Sequence, residues 1–279
     1  MNQLPLVSVI CLCHNQLPYV REAIQSVWKQ SYPNIELIVV DDGSTDGSKE
    51  MIESILKGED VKFIDIESRI GNCAAFNRGF YQSKGEFIID LAADDVLIPD
   101  RILEGINTFM KTNAGVTFCN VMNIDQEGNE LDTHFKTQNG SIQEDIPEGD
   151  IYIDLIKKYF ISPPSMMIRR EVLEELGGYD ESLTYEDFDF WIRSSRNWKY
   201  AFTNNILVKK RKVIGSLSDQ QFRYRTEHQE TTLRVCQKIK ELNRSKEEDS
   251  VLRKRCLYEI KQCVKQGNLK LIPGFLRLI

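Results

Sequence analysis

No stretch of this sequence approaches the roughly 18 uninterrupted apolar residues that a bilayer-spanning helix requires. Its most apolar early segment, Leu4 to Cys13, is too short, and no basic flank precedes it. We therefore expect neither a secretory signal peptide nor a transmembrane anchor, and a cytoplasmic location. No Cys-x-x-Cys pair occurs among the seven cysteines, which sets aside a zinc site or a thioredoxin-like motif. Cys11 and Cys13 alternate along one segment, while Cys73, Cys119, Cys236, Cys256 and Cys263 are scattered; an odd number without framework spacing fits reduced thiols filling small core positions. Cys13 lacks the visible cationic neighbour that would activate its thiolate. Histidine is scarce: His14, His134 and His228 are too far apart for a local metal cluster, and the last two read as surface residues. No Gly-x-Gly-x-x-Gly follows any strand-like run, which argues against an NAD-linked oxidoreductase.

What remains is an ordinary globular composition, 41% hydrophobic and 28% charged over 279 residues, enough for one large core or two modest ones. The net charge of −6 hides an asymmetry. Residues 220–279 hold 14 Lys/Arg against 7 Asp/Glu, and residues 1–219 hold 22 against 35. An acidic body argues against general nucleic-acid binding. The basic tail suits anionic lipid, an acidic partner or simply water.

Through residue 120 strand-like and helix-like patterns alternate. Val7–Cys13, Ile35–Val40, Val61–Ile66, Phe87–Leu91 and Gly115–Asn120 read as strands. Between them Val20, Ala23, Ile24, Val27 and Trp28 share one helical face, and Gly47–Leu56, Asn72–Tyr81 and Pro99–Met110 read as helices. That rhythm predicts an α/β fold with a mostly parallel central sheet and helices on both faces. From 121 to 165 the sequence turns polar and turn-rich. A short helix ending at Gly177 and Gly178, an acidic segment Glu186–Asp189 and a strand near Ile206–Arg211 follow. From Asp219 the pattern is helical, charged and basic, a C-terminal extension over 219–279.

In open α/β sheets ligands bind beyond the carboxyl ends of the strands. Here those ends carry Cys13, His14 and Asn15, then Asp41, Asp42, Gly43 and Ser44, then Asp94 and Asp95. Two acidic pairs on one rim suit a hard divalent cation and a ligand with hydrogen-bond donors. By spacing alone Asp94 and Asp95 serve as well for a turn ahead of Pro99, Asp46 as a cap for the next helix, and Glu186 to Asp189 as an acidic helix start.

Val7 to Ile10, Asn15, Ser26 to Gln30 and Asn34 to Asp46 resemble family 2 glycosyltransferases of GT-A fold. Gly71 to Gly79, Ala93 to Asp95 with Pro99, Gly177 to Asp180, and Glu186 and Asp187 with Trp191 and Arg193 continue the likeness in family order over about residues 5–218. The resemblance implies a GT-A catalytic domain over 1–218, with a Rossmann-like nucleotide-sugar-binding half over 1–120 and an acceptor half over 121–218. It implies inverting transfer of one sugar from a nucleotide-sugar, a UDP-sugar by preference, to a glycan or lipid-linked acceptor in cell-surface polysaccharide synthesis. Asp42 would bind the base, with Leu12 and His14 lining its pocket. Asn15, Gly71, Asn72, Asn77, Asp94 and Arg211 would complete the donor site. Asp95, with Asp94, would hold Mn²⁺ or Mg²⁺, and Asp187 would be the general base, aided by burial or by Glu186.

Departures accompany the likeness. Ala92 stands where the metal motif has its first Asp, Phe76 where Arg often precedes the helix Asn, and Val213 where His is frequent. Arg211 or Lys212 would then meet diphosphate charge. The stretch Gln220, Gln221, Phe222, Arg223, Tyr224 resembles the Gln-x-x-Arg-Trp of processive synthases, but the Trp is absent. A non-catalytic nucleotide-sugar or glycan binding module is the competing reading. A phosphoacceptor domain is disfavoured because Cys13 and His14, not an acidic pair, follow the first strand. The basic tail, with Leu252, Leu257, Ile260, Val264, Leu269, Leu271, Ile272, Phe275, Leu276 and Ile279 among its cations, suits either a membrane surface or packing on the catalytic domain or a second subunit.

Overall fold

The computed structural model describes residues 4–138, 141–213 and 228–279. Among them a mixed sheet of nine strands runs in the order β3-β2-β1-β4-β10-β6-β11-β5, with β7 beside β6. The expected strands appear as β1 (Val7–Cys13), β2 (Ile35–Asp42), β3 (Lys62–Ile66), β4 (Phe87–Ala92) and β6 (Val116–Ile124), the helices between them as α1 (Val20–Trp28), α2 (Ser48–Leu56), α3 (Asn72–Gln82) and α4 (Arg101–Lys111). β1 pairs parallel with β2 and β4, and β2 parallel with β3. The sheet is thus parallel through its first four strands.

Period-two alternation sorts the strand side chains onto two cores. Ile10, Leu12, Ile38 and Val40 face α3 in one, while Val7, Val9, Cys11, Leu37 and Val39 face α1, α2 and α4 in the other. Both faces of β1 are buried along its whole length, so it reads as a continuous apolar run. Each fully buried Ile or Val there contributes about 1.5–3 kcal/mol.

Several elements differ from expectation. β10 (Met167–Arg169) slots antiparallel between β4 and β6. Being three residues long and followed at once by α6 (Arg170–Leu176), it carries no period of its own. β11 is a 12-residue strand, Tyr200–Arg211, parallel to β6. Its first half escapes a hydrophobic reading because the register shifts around Asn204 and Asn205. A two-residue β5 (Val96–Leu97) caps the sheet edge antiparallel to β11. The region expected to be irregular holds β7 (Glu130–Thr133), a small hairpin of β8 (Thr137–Gln138) and β9 (Ser141–Ile142), and α5 (Tyr152–Lys157). The division at residue 120 falls inside β6, so the two halves share that strand.

α7 (Asp187–Ser194) begins at the acidic segment. Beyond residue 227 come α8 (His228–Leu242), α9 (Lys246–Gln266) and α10 (Ile272–Leu276). Their inward residues, among them Val235, Ile239, Leu252, Cys256 and Phe275, join the same core as Phe188 and Phe190 of α7. The Arg255 guanidinium pairs with Glu259 at 2.7 Å, donates to the Ile156 carbonyl and lies over the rings of Tyr159 and Phe188. The extension is therefore docked on the α/β body. The boundary expected at 218/219 and the segment 220–224 lie outside the described residues.

All seven cysteines are free and buried, and burial pushes the Cys13 thiol up to about 12, which keeps it inert. His134 is exposed, as expected, whereas His228 is buried. His134 Nε2 lies 2.7 Å from the Phe160 carbonyl, and His228 is stacked on Tyr185 at 5.4 Å between ring centroids. No helix among the described residues is long and apolar enough to cross a membrane.

Candidate functional site

The carboxyl ends of β1, β2 and β4 carry the residues that sequence reasoning singled out, and local hydrogen bonds explain their placement. Asp42 ends β2 buried, with Oδ1 and Oδ2 accepting the backbone N–H groups of Ile70 and Gly71 at 2.7 and 3.0 Å. Gly71 has φ +95° and ψ 156°, a conformation open only to glycine, and with it the loop folds back onto Asp42. A carboxylate offers about four lone-pair directions, so two remain for a ligand. His14 meets the Asp42 carbonyl through Nδ1 at 2.7 Å, and Leu12 is buried on the α3 side of the sheet. Asn15, at φ +54°, accepts the Thr45 N–H, and its own N–H donates to Ser44 Oγ. It pins the first loop to the second, so its side-chain oxygen is occupied.

The second cluster surrounds the end of β4. Asp95 is buried and accepts the Arg211 backbone N–H at 2.9 Å through Oδ1. Burial, and then the neighbouring Asp94 charge, push its carboxyl up to about 8. Burial raises Asp94 as well, against the pull of Lys210 and Arg211. Asp187 sits in the first turn of α7. Its Oδ1 is sealed from solvent with no hydrogen-bond partner, and burial followed by Glu186 drives its carboxyl well above the usual range.

Contacts tie these clusters into one rim. Gly71 holds Asp42, and its neighbour Asn72 donates to Glu186 Oε2 at 2.8 Å, one residue before Asp187. Lys210 acts electrostatically on Asp94, Asp95 and Asp187 together. It makes no hydrogen bond or ion pair among the described residues, so its charge is free for an incoming anion. Sequence reasoning missed it because Lys209, Arg211 and Lys212 flank it and nothing in the order singles it out. Asp90 was missed too, although a carboxylate inside the apolar run Phe87–Leu91 was the available signal. Burial and Glu186 raise Asp90 well above its ordinary value, with the buried Tyr179 hydroxyl beside it.

Three expected ligand residues are otherwise engaged. Arg211 donates to the carbonyls of Asp94, Asp125 and Gln126, pairs with Glu22 at 2.6 Å and lies over the Tyr19 ring. Its guanidinium braces the loop and is not free for diphosphate. Lys212 pairs with Asp132. Asn77 is buried; its amide donates to the Tyr179 carbonyl and Glu181 and accepts the Tyr179 N–H. Those three bonds make Asn77 the fastener of the Gly178–Tyr179 turn. The remainder of the loop after Val213 lies outside the described residues.

The donor set suits a hard cation only in part. Among the described residues no three His, Cys, Asp or Glu side chains stand together as a ready-made metal cage. Asp94 and Asp95 do supply carboxylate oxygen, with Asp95 Oδ2 left over, and their raised affinity for protons marks a place short of positive charge. Mg²⁺ and Mn²⁺ held by one or two carboxylates draw their other ligands from phosphate and water, so the residues present fit such an ion.

Comparison with known proteins bears on these observations. The family model described as glycosyl transferase family 2 matches residues 8–177. The uncharacterized glycosyltransferase MJ1057 of Methanocaldococcus jannaschii is 33% identical over 219 residues, 74% of this chain and 71% of that protein. The putative teichuronic acid biosynthesis glycosyltransferase TuaG of Bacillus subtilis is 27% identical over 224 residues, 80% of this chain and 85% of its own. The chain spans 34% of the length of a Rickettsia felis relative and 64% of those from Rickettsia prowazekii and Rickettsia typhi. Among solved structures, S. aureus TarS 1-349 in complex with UDP-GlcNAc superposes with a TM-score of 0.75 at 18% identity, covering 98% of this chain and 79% of that one. The mannosyltransferase PcManGT from Pyrobaculum calidifontis, in complex with GDP-Man and Mn²⁺, superposes with a TM-score of 0.64 at 15% identity, covering 99% and 74%.

Proposed function

The chain belongs to glycosyl transferase family 2 and has the GT-A fold, and from that premise we propose that it moves one sugar from a nucleotide-sugar, with inversion, to a hydroxyl of a glycan or lipid-linked acceptor. The observation that carries the reading is the shared rim: the buried carboxylate of Asp42, an acidic pair at Asp94 and Asp95, and the unpartnered oxygen of Asp187, with the charge of Lys210 acting on the last three. The UDP-GlcNAc and GDP-Man complexes of the structural neighbours support a nucleotide-sugar donor. TuaG supports cell-surface polysaccharide synthesis as the setting.

The base edge rests against Leu12 and His14, and its donors meet the free lone pairs of Asp42. Lys210 meets the diphosphate, in the place first expected for Arg211. Asp95, with Asp94, would hold Mn²⁺ or Mg²⁺, which supplies neutralisation of charge on the departing diphosphate. The acceptor oxygen bonds to the anomeric carbon as the bond from that carbon to the phosphate oxygen breaks. The proton passes to Asp187, whose raised pKa makes it a stronger base than an exposed carboxylate. Asn72 and Glu186 orient that end of α7 from the donor side.

Asp187→Asn tests the assignment: transfer is lost while donor binding, read by thermal shift, persists. Normal turnover in that variant removes Asp187 from the mechanism. A panel of sugar nucleotides with Mn²⁺, scored by thermal shift and nucleoside diphosphate release, identifies the donor. Ala92 and Val213, which stand where the family pattern has an Asp and a His, are what favour the alternative of a non-catalytic binding module. Binding without any diphosphate release across the panel would establish that alternative.

A further inference from the structure

The C-terminal extension has two dissimilar faces, and only one is used within the protein. Leu252, Arg255, Cys256, Glu259 and Cys263 of α9 are buried against the body. On the other side Leu257, Tyr258 and Val264 are 46%, 54% and 58% exposed. Arg253, Lys254, Lys261 and Lys265 are exposed with them. At 3.6 residues per turn these seven positions fall within an arc of about 140°. Between Arg253 and Lys265 the arc holds no carboxylate, although Glu247, exposed in the first turn of the helix, shares its azimuth. The acids of α9 lie in its first turn, Glu247, Glu248 and Asp249, or on the buried side, Glu259.

Several basic residues of the extension are paired, Lys238 with Asp180 and Asp189, Lys240 with Asp249, Arg255 with Glu259, and Lys270 with Glu230. Arg253, Lys254, Lys261 and Lys265 make no ion pair or hydrogen bond among the described residues. Exposed apolar residues recur after the helix, at Leu269, Leu276 and Ile279, with Lys270 and Arg277 between them and again no acid.

We propose that the outward face of α9 is a docking surface for an anionic lipid bilayer. This cluster of exposed, unpaired cations attracts anionic headgroups, while Leu257, Tyr258 and Val264 enter the headgroup boundary and long lysine stems reach up to phosphate. An ordinary solvated helix face mixes both signs. The inward face meanwhile fixes α9 to the body through Arg255, which holds the Ile156 carbonyl and lies over Tyr159 and Phe188, so the surface is presented rigidly. This inference goes beyond the transferase reading and is tested without turnover.

The test is flotation of the full chain with phosphatidylcholine vesicles, with and without phosphatidylglycerol. Binding is expected only to the anionic vesicles and falls as salt rises. Two variants probe the surface: Lys254→Glu with Lys261→Glu and Lys265→Glu, and Leu257→Ser with Tyr258→Ser and Val264→Ser. Each is expected to lower binding at least about tenfold with an unchanged melting temperature, because the residues are exposed. Absence of flotation with anionic vesicles overturns the proposal, as does wild-type flotation by both variants. A dimer that dissociates in the serine variant, without lipid binding, overturns it in favour of a second copy. Should either variant fail to fold, the wild-type protein decides: binding undiminished at about 0.5 M salt refutes an electrostatic surface.

Discussion

Replacing Lys238 by methionine should loosen the helix that begins at Asp187, and the structure sets the size of the effect. The ammonium of Lys238, on α8, reaches Asp180 Oδ2 at 2.5 Å and Asp189 Oδ1 at 2.6 Å. Asp189, on α7, is 1% exposed at its side chain and keeps a second partner in Arg193 at 2.6 Å. Arg193 in turn holds the carbonyls of Leu176 and Gly178. Breaking a buried pair by removing one partner costs about 3–5 kcal/mol. Lys238 is 29% exposed and Asp189 retains Arg193, which brings the expectation to about 2–3 kcal/mol. For a chain of this size that lowers Tm by roughly 5–10 °C.

The pH dependence separates this mechanism from a packing defect. Burial pushes the Asp180 carboxyl up, but hydrogen bonds from Lys238 and Ser182 outweigh it and bring the group down to about 2. A carboxylate depressed in the folded state contributes stability that is complete above its unfolded value, about 3.8, and is lost as pH falls through about 2. The difference in Tm between wild type and Lys238→Met should stay constant from pH 7 to 5 and narrow below about 4, followed by calorimetry. A drop under about 2 °C at pH 7, or a gap that does not respond to acid, would refute the ion-pair account.

Other expectations follow from the same site. Lys210→Met removes the cation that favours ionised Asp94, Asp95 and Asp187; the acid limb of kcat/KM against pH should move up by about one unit. Asn77→Ala leaves the buried Tyr179 backbone unsatisfied, and chemical denaturation should record a loss of about 2–4 kcal/mol. Burial holds the Asp95 proton until about pH 8, so ionisation costs folded stability as pH rises toward that value. Mn²⁺ competes with that proton, and its thermal shift should therefore grow between pH 6 and 8.5; a flat response would remove Asp95 as a ligand.

Much of this was legible in order of residues. Apolar runs and helical periods from Val7 to Met110 locate the first four strands and helices because each buries a full face. Asp42, Asp94 and Asp95 stand out as carboxylates ending apolar strands, but their roles, and Asp187 altogether, rest on the family resemblance, since by spacing alone they read as well as turns, caps and an acidic helix start. β10 escaped because three residues show no period, and the start of β11 because Asn204 and Asn205 break its alternation. Asn77 and Arg211 look like ligands in sequence. Only coordinates show that Tyr179 takes up the first and that Glu22 and three carbonyls take up the second. Lys210 is the converse, a residue whose importance lies in the partners it does not have.

β10 has a consequence for how the chain can be divided. A fragment ending near residue 120 would carry β4 with its outer backbone groups uncovered, since the three residues that cover them arrive 47 positions later. Such a piece would offer a raw sticky seam to any extended peptide, itself included. The short splice between β4 and β6 also laces the parallel strands β1 to β4 and the strands β6 and β11 into one hydrogen-bonded fabric. The sheet beneath the rim therefore offers no place to flex like a book.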